Sequence, residues 1–159
     1  LANIEYDSVT IKNLDDIYKT LAYNAKVVIP EGGTVNGDFI YLNPVLHPAF
    51  DENPFKQTVR EYPVDIPYPL SHRYVLNLTI PEGYAVEQMP EQVSLSLPEN
   101  GGKFSFLVSK LAGTARTFQI NSTIQINQVH FEPDEYAVIK KFFDLIIEKQ
   151  QEQLVLKKI

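Results

Sequence analysis

The 159-residue chain contains no cysteine, no tryptophan, one methionine and seven glycines. Without Cys, thiol nucleophiles, Cys-based zinc sites, iron–sulfur clusters and disulfide frameworks are excluded together. Cationic side chains are in deficit, with 14 Lys and Arg against 20 Asp and Glu and a formal net charge of −6. Binding to a phosphate backbone rests on cations that neutralise it, so no nucleic acid is expected as a partner. Long apolar runs are missing too: Phe142 to Ile147 is interrupted by Asp144 and falls far short of the roughly 18 residues a membrane span requires. Gly32-Gly33 and Gly101-Gly102 lack the motif of a phosphate-cradling loop and the Lys-Ser/Thr that follows it. The chain opens Leu1-Ala2-Asn3, with no initiator Met and no basic stretch, and reads as an internal fragment.

What is present is an ordinary globular composition, 44% hydrophobic. At this length folding buries roughly 70% of the unfolded chain's surface, enough for a core without metal or disulfide. Ile4 to Ile11 and Tyr23 to Ile29 read as strands rich in β-branched residues, with a short helical turn expected over Asn13 to Leu21 and a short return strand over Asp38 to Leu42. Six of the eleven prolines (44, 48, 54, 63, 67 and 69) fall between Asn43 and Leu70. Proline removes a ladder donor, so this stretch is expected to be a surface crossover rather than a central strand. Five strands follow, over His72–Ile80, Tyr84–Glu87, Gln92–Leu97, Lys103–Leu111 and Ala115–Val129, with apolar and polar residues alternating as in antiparallel sheet. Pro98-Glu99-Asn100-Gly101-Gly102 is the strongest hairpin signal, since Asn-Gly accepts left-handed backbone.

A long helix is predicted from Pro133 to about residue 150. Proline suits the first helical position, and Asp134 and Glu135 complement the positive end of the helix dipole. Tyr136, Ile139, Phe142, Phe143 and Ile146 form its apolar face. Leu154-Val155-Leu156 closes the chain as a strand. The expected fold is mainly β, an antiparallel β-sandwich with one C-terminal α-helix. A single domain over 1–159 is expected, with a possible subdivision at 43–70 into N-terminal strands (1–42) and a main sheet plus helix (71–159).

Candidate chemistry is sparse. His47, His72 and His130 are scattered, and no Gly-x-Ser-x-Gly elbow exists. Asp51-Glu52-Asn53 lacks the alternating ligands of a calcium loop, while Glu132, Asp134 and Glu135 are explained by the helix start. No metal, cofactor or catalytic residue is therefore expected. Most Phe residues fall on inward positions. Arg60, Tyr62, Asp65 and Tyr68 alternate with prolines in the crossover, and Tyr and Arg are frequent interface anchors. They are the candidate domain interface. The competing expectation is that Arg60 and Asp65 tie the crossover to its own domain by a charge-assisted hydrogen bond.

One ordered set of residues carries a resemblance. Asn53-Pro54-Phe55, Arg60, Pro63-Val64-Asp65, Tyr74, Ile80-Pro81-Glu82-Gly83-Tyr84 and Pro90 lead to Tyr136, Phe142-Phe143, Lys149-Gln150 and Gln153 to Lys158. Over about residues 36 to 159 the chain resembles the C-terminal domain of unknown function of bacterial transglutaminase-like envelope proteins. In that family the catalytic Cys-His-Asp set lies in a central papain-like core. The resemblance implies a non-catalytic accessory domain that packs on or orients that upstream core, in the periplasm or cell envelope. The alternative is a β-sandwich module that binds a glycan or peptide.

Overall fold

The computed structural model describes residues 4–30 and 32–159. In chain order the elements are β1 (Glu5–Lys12), β2 (Ala22–Val28), β3 (Thr34–Asn36), β4 (Phe39–Leu42), β5 (Val64–Asp65), β6 (Leu70–Thr79), β7 (Tyr84–Gln88), β8 (Val93–Ser96), β9 (Gly102–Lys110), β10 (Thr117–Ile126), β11 (His130–Phe131), α1 (Tyr136–Gln150) and β12 (Leu154–Lys158). The protein is mainly β, all strand pairings described are antiparallel, and the helix lies at the C-terminal end. Residues 1–34 and 35–159 form two compact units. The proline-rich stretch 43–70 lies inside the second unit.

In the first unit, β1 pairs with β2. The helical turn expected over Asn13 to Leu21 is absent, and two separate turns, closed by Asp16 N to Asn13 O and Lys19 N to Asp16 O, take its place. Asn13 adopts φ 63° and donates its side-chain amide to Thr20 O at 2.8 Å, while Asp16 Oδ1 accepts from Tyr18 N at 3.1 Å. These local bonds compete with helix. Leu14, Ile17, Tyr18 and Leu21 are all exposed, so no packing repays the nucleation of so short a helix.

The second unit is built on the sheet β6-β10-β9-β8. Along β6 exposure alternates without a break, so Tyr74 points to the half-buried side and Val75 to solvent. Val75 and Leu76 are adjacent apolar residues, yet Val75 is exposed and the register with β10 runs through both without a bulge. On β10, Ile120, Ser122, Ile124 and Ile126 are buried beside Phe104 and Phe106 of β9. Ser122 sits opposite both Tyr74 and Phe106, a small residue between two rings.

Helix α1 lays Tyr136, Ile139, Phe142, Phe143 and Ile146 into one cluster with this sheet face. Its start is a 3-10 turn, Pro133–Glu135, in which the Glu135 carboxylate accepts from Glu132 N at 2.8 Å. That bond, then one from the Gln128 amide, holds the Glu135 carboxyl below its ordinary pKa. A second sheet, β3-β4-β12-β7, places the last strand between β4 and β7. Phe39–Leu42 therefore pairs with the C-terminal strand. Leu154 and Leu156 pack there with Ile80, Leu78 and Phe118, closing the other end of the main sheet.

The β8–β9 connection follows the expected hairpin in position and departs from it in geometry. Glu99 and Asn100 take positive φ (50° and 58°), whereas Gly101 stays right-handed at −64°. The glycines serve close approach instead. A Cβ on Gly102 would lie 2.9 Å from Leu97 Cδ1 and 3.0 Å from Gln125 O.

Candidate functional site

Two Asn-Pro steps shape the crossover. Asn43 Oδ1 accepts from Val45 N and Asn53 Oδ1 accepts from Phe55 N, each at 2.8 Å, so each Asn closes a turn on the residue two ahead. Each amide nitrogen then reaches the helix: Asn43 Nδ2 donates to Gln150 O at 3.1 Å, and Asn53 Nδ2 to Lys140 O at 3.0 Å and to Asp144 Oδ1 at 2.6 Å. Lys140 Nζ donates to Phe55 O at 2.8 Å, and the Tyr136 hydroxyl to Gln57 O at 2.9 Å. On the sheet side the Tyr74 hydroxyl donates to Pro44 O at 2.9 Å and accepts from Leu46 N at 3.3 Å; burial raises its pKa, with the bond from Leu46 opposing. The crossover is thus fastened along its length without joining a sheet until β5.

This fastening leaves a groove of about 390 Å³ between the crossover, α1 and the end of the main sheet. Phe50, Phe55, Val64, Ile66, Leu70 and Phe143 supply apolar lining; Arg60, Asp65 and Tyr68 also border it. The aromatic floor is close-packed, with the Phe143 ring centroid 4.9 Å from Phe50 and 5.0 Å from Phe55. Three of the four sequence candidates therefore meet at one groove. Tyr62, 76% exposed, is not among its lining residues, while Tyr68 is 68% exposed at the groove itself.

Arg60 and Asp65 do not pair. The Arg60 guanidinium lies 5.9 Å from the centre of the Tyr136 ring, in cation–π range. Asp65 Oδ1 instead meets His130 Nδ1 at 2.7 Å, because β5 and β11 put the two residues directly opposite each other. His130 Nε2 meets Glu132 Oε1 at 3.2 Å. The bonds to Asp65 and then Glu132 favour the imidazolium and raise the His130 pKa above 6.5. Nothing in sequence spacing marks this pairing across 65 residues between two-residue strands.

The chemistry open to this cluster is narrow. Both imidazole nitrogens face carboxylates, so in this arrangement neither is free to take a proton from a nucleophile. The carboxylates lie on opposite nitrogens of the ring and do not converge on a single ion, and no metal-type cluster occurs among the described residues. No described helix is long and apolar enough to cross a membrane. A second depression, about 510 Å³, is lined by Tyr41, Gln88, Glu91, Gln151 and Gln153 among others.

A β-rich domain with one covering helix, an aromatic groove and a carboxylate-clamped histidine is the class defined by fold and site. Residues 38–156 match the family described as a domain of unknown function with a solved structure, DUF3858, and the chain belongs to that family. No curated protein matches the chain. Among solved structures, it is similar in fold to a protein from Parabacteroides distasonis described as a putative protease, with a TM-score of 0.59 and 16% identity. The similarity covers 80% of this chain and 24% of that one, so the chain spans about a quarter of that protein's length.

Proposed function

We propose that this domain is a non-catalytic accessory domain of a transglutaminase-like protein, and that the groove bordered by Arg60, Asp65 and Tyr68 receives an apolar segment of the adjoining catalytic core. The observation that carries the reading is Tyr68, a large aromatic left 68% exposed beside a groove whose lining is mainly apolar and aromatic. Such a ring is the usual anchor of a protein interface. The groove's aromatic and aliphatic lining suits a protein segment better than a saccharide, whose hydroxyls need many polar partners. The absence of Cys in the chain and the double engagement of His130 agree with catalysis residing elsewhere. A periplasmic or envelope location goes with this reading.

The test compares Tyr68→Ala in the full-length gene product and in the 159-residue chain. In the chain the exposed ring should matter by under about 0.5 kcal/mol; in the full-length protein its loss should cost about 2 kcal/mol or more. Equal small losses in both would remove the groove from any interface.

A second reading, a glycan-binding module, is favoured by one observation. The depression lined by Tyr41, Gln88, Glu91, Gln151, Glu152 and Gln153 sets one aromatic ring among amides and two carboxylates, a combination suited to sugar hydroxyls. Absence of binding heat with soluble envelope glycans would dismiss it.

A further inference from the structure

Of the chain's three arginines, Arg73 and Arg116 are exposed and Arg60 is half-buried. The Arg60 guanidinium lies 5.9 Å from the centre of the Tyr136 ring, and that ring is itself fixed, 2% exposed with its hydroxyl donating to Gln57 O at 2.9 Å. Among the described residues the guanidinium forms no ion pair and no hydrogen bond. A planar fork of N–H donors is therefore held over an aromatic face without an acceptor. Water satisfies an exposed arginine, but partial burial makes an unpaired charged donor costly.

The fork stands at the border of the aromatic groove. Tyr136 meets Phe55 edge-on at 5.9 Å, and Phe55 meets Phe143 edge-on at 5.0 Å, so a line of ring contacts leads from the guanidinium to the groove floor. Arg60 and Asp65 are the charged side chains of the lining, and Asp65 Oδ1 is engaged by His130 Nδ1 at 2.7 Å. Nearby charges are occupied or turned elsewhere: Lys140 Nζ donates to Phe55 O, Asp144 accepts from Asn53, and Glu61 is exposed and outside the lining. The groove thus offers one uncompensated charge, a positive one, above an apolar floor. All of these residues belong to the second unit, so the geometry is internal to it.

We propose that Arg60 selects the occupant of this groove by taking, through its two-point fork, the carboxylate of an Asp or Glu side chain carried on the apolar segment that docks there. The proposal rests on the reading of the groove as a docking site and adds the chemistry of what docks. One cation balances one monoanion, and guanidinium and carboxylate match in plane and in the spacing of their paired hydrogen bonds. A phosphate group, close to doubly charged, would leave charge uncompensated beside a single cation and the Asp65 carboxylate. A segment inside the body of the same gene product has no free end, so the carboxylate is that of a side chain. Stacking on Tyr136 orders the fork in advance, and little side-chain freedom is left to lose on docking.

Hydroxyl-radical modification of Tyr68 in the full-length gene product reads docking itself, and two variants read the part of Arg60. Losing a hydrogen bond to a charged group shifts such an equilibrium by roughly 10- to 100-fold. Arg60→Gln is therefore expected to raise Tyr68 modification in the full-length protein to the level of the 159-residue chain, and to leave modification of the 159-residue chain unchanged. Arg60→Lys keeps the charge without the fork. In that variant of the full-length protein a water-soluble carbodiimide is expected to couple the introduced amine to an acidic residue outside the 159-residue chain, located by mass spectrometry of the digest. If Tyr68 is protected in the wild type and stays protected in Arg60→Gln, the proposal fails while the docked groove stands. If Tyr68 is unprotected in the wild-type full-length protein, the docking reading fails and the proposal with it. Coupling only to Glu61, Asp65 or another acid of the 159-residue chain, or to no residue, overturns the proposal by removing the external carboxylate.

Discussion

Replacing Phe143 by Ala removes the ring on which helix, crossover and groove converge. The side chain is 3% exposed. Its ring stands 4.9 Å from Phe50, 5.0 Å and edge-on (86°) from Phe55, and 6.3 Å from Phe142. Truncating a buried Phe costs about 3–5 kcal/mol, combining lost transfer free energy with an incompletely collapsed cavity. Aromatic pairs each contribute about 0.5–1.5 kcal/mol beyond burial. Three such neighbours place Phe143→Ala in the upper half of the range, near 4 kcal/mol. For a chain of this size each kcal/mol lowers Tm by roughly 2–4 °C, so a drop of about 8–16 °C is expected. With no Trp in the chain, urea unfolding is followed by circular dichroism at 222 nm, to which α1 contributes strongly. Val138→Ala is the control, because Val138 is 47% exposed on the same helix and should change stability by under about 0.5 kcal/mol. A loss under about 1 kcal/mol for Phe143→Ala would refute the packing of α1 on the sheet.

Gly102→Ala should destabilise by about 1–3 kcal/mol in the same urea assay through overpacking against Leu97 and the Gln125 carbonyl, even though its backbone conformation suits alanine. Asn53→Ala removes the turn bond to Phe55 and both bonds to the helix, and a loss of about 1–3 kcal/mol is expected, with no loss indicating that the crossover holds without them. His130 should titrate in an NMR pH series above the ordinary 6.5, and Asp65→Asn should bring it down. Because the folded pKa is the higher one, the clamp's contribution is fully present below the unfolded His130 pKa and is lost as pH rises through the folded value; a His130 midpoint at or below 6.5 would contradict the geometry.

The apolar stripe of α1 was legible in the sequence, and so was the alternation of β6 apart from its break at Val75-Leu76, because each is a period set by one element's own geometry. The turns over Asn13 to Leu21 differ from the expected helix because helical spacing of apolar residues stabilises a helix only when something covers them. The pairing of β4 with β12 joins residues far apart in the chain, and no local pattern encodes it. For the site, proline, tyrosine and arginine composition located the crossover, and three of four candidates reached the groove. Phe50, Phe55 and Phe143 were readable only as core, since a groove floor and a core share the same apolar signal. The turns that Asn43 and Asn53 close, and their reach to the helix, depend on side-chain placement that the proline count does not encode.

Hydroxyl-radical footprinting of Tyr68 tests the docking of the groove most directly. The account predicts that Tyr68, heavily modified in the 159-residue chain, is protected several-fold in the full-length gene product, while Tyr84 on β7 reacts equally in both. Equal modification of Tyr68 in the two proteins would contradict it.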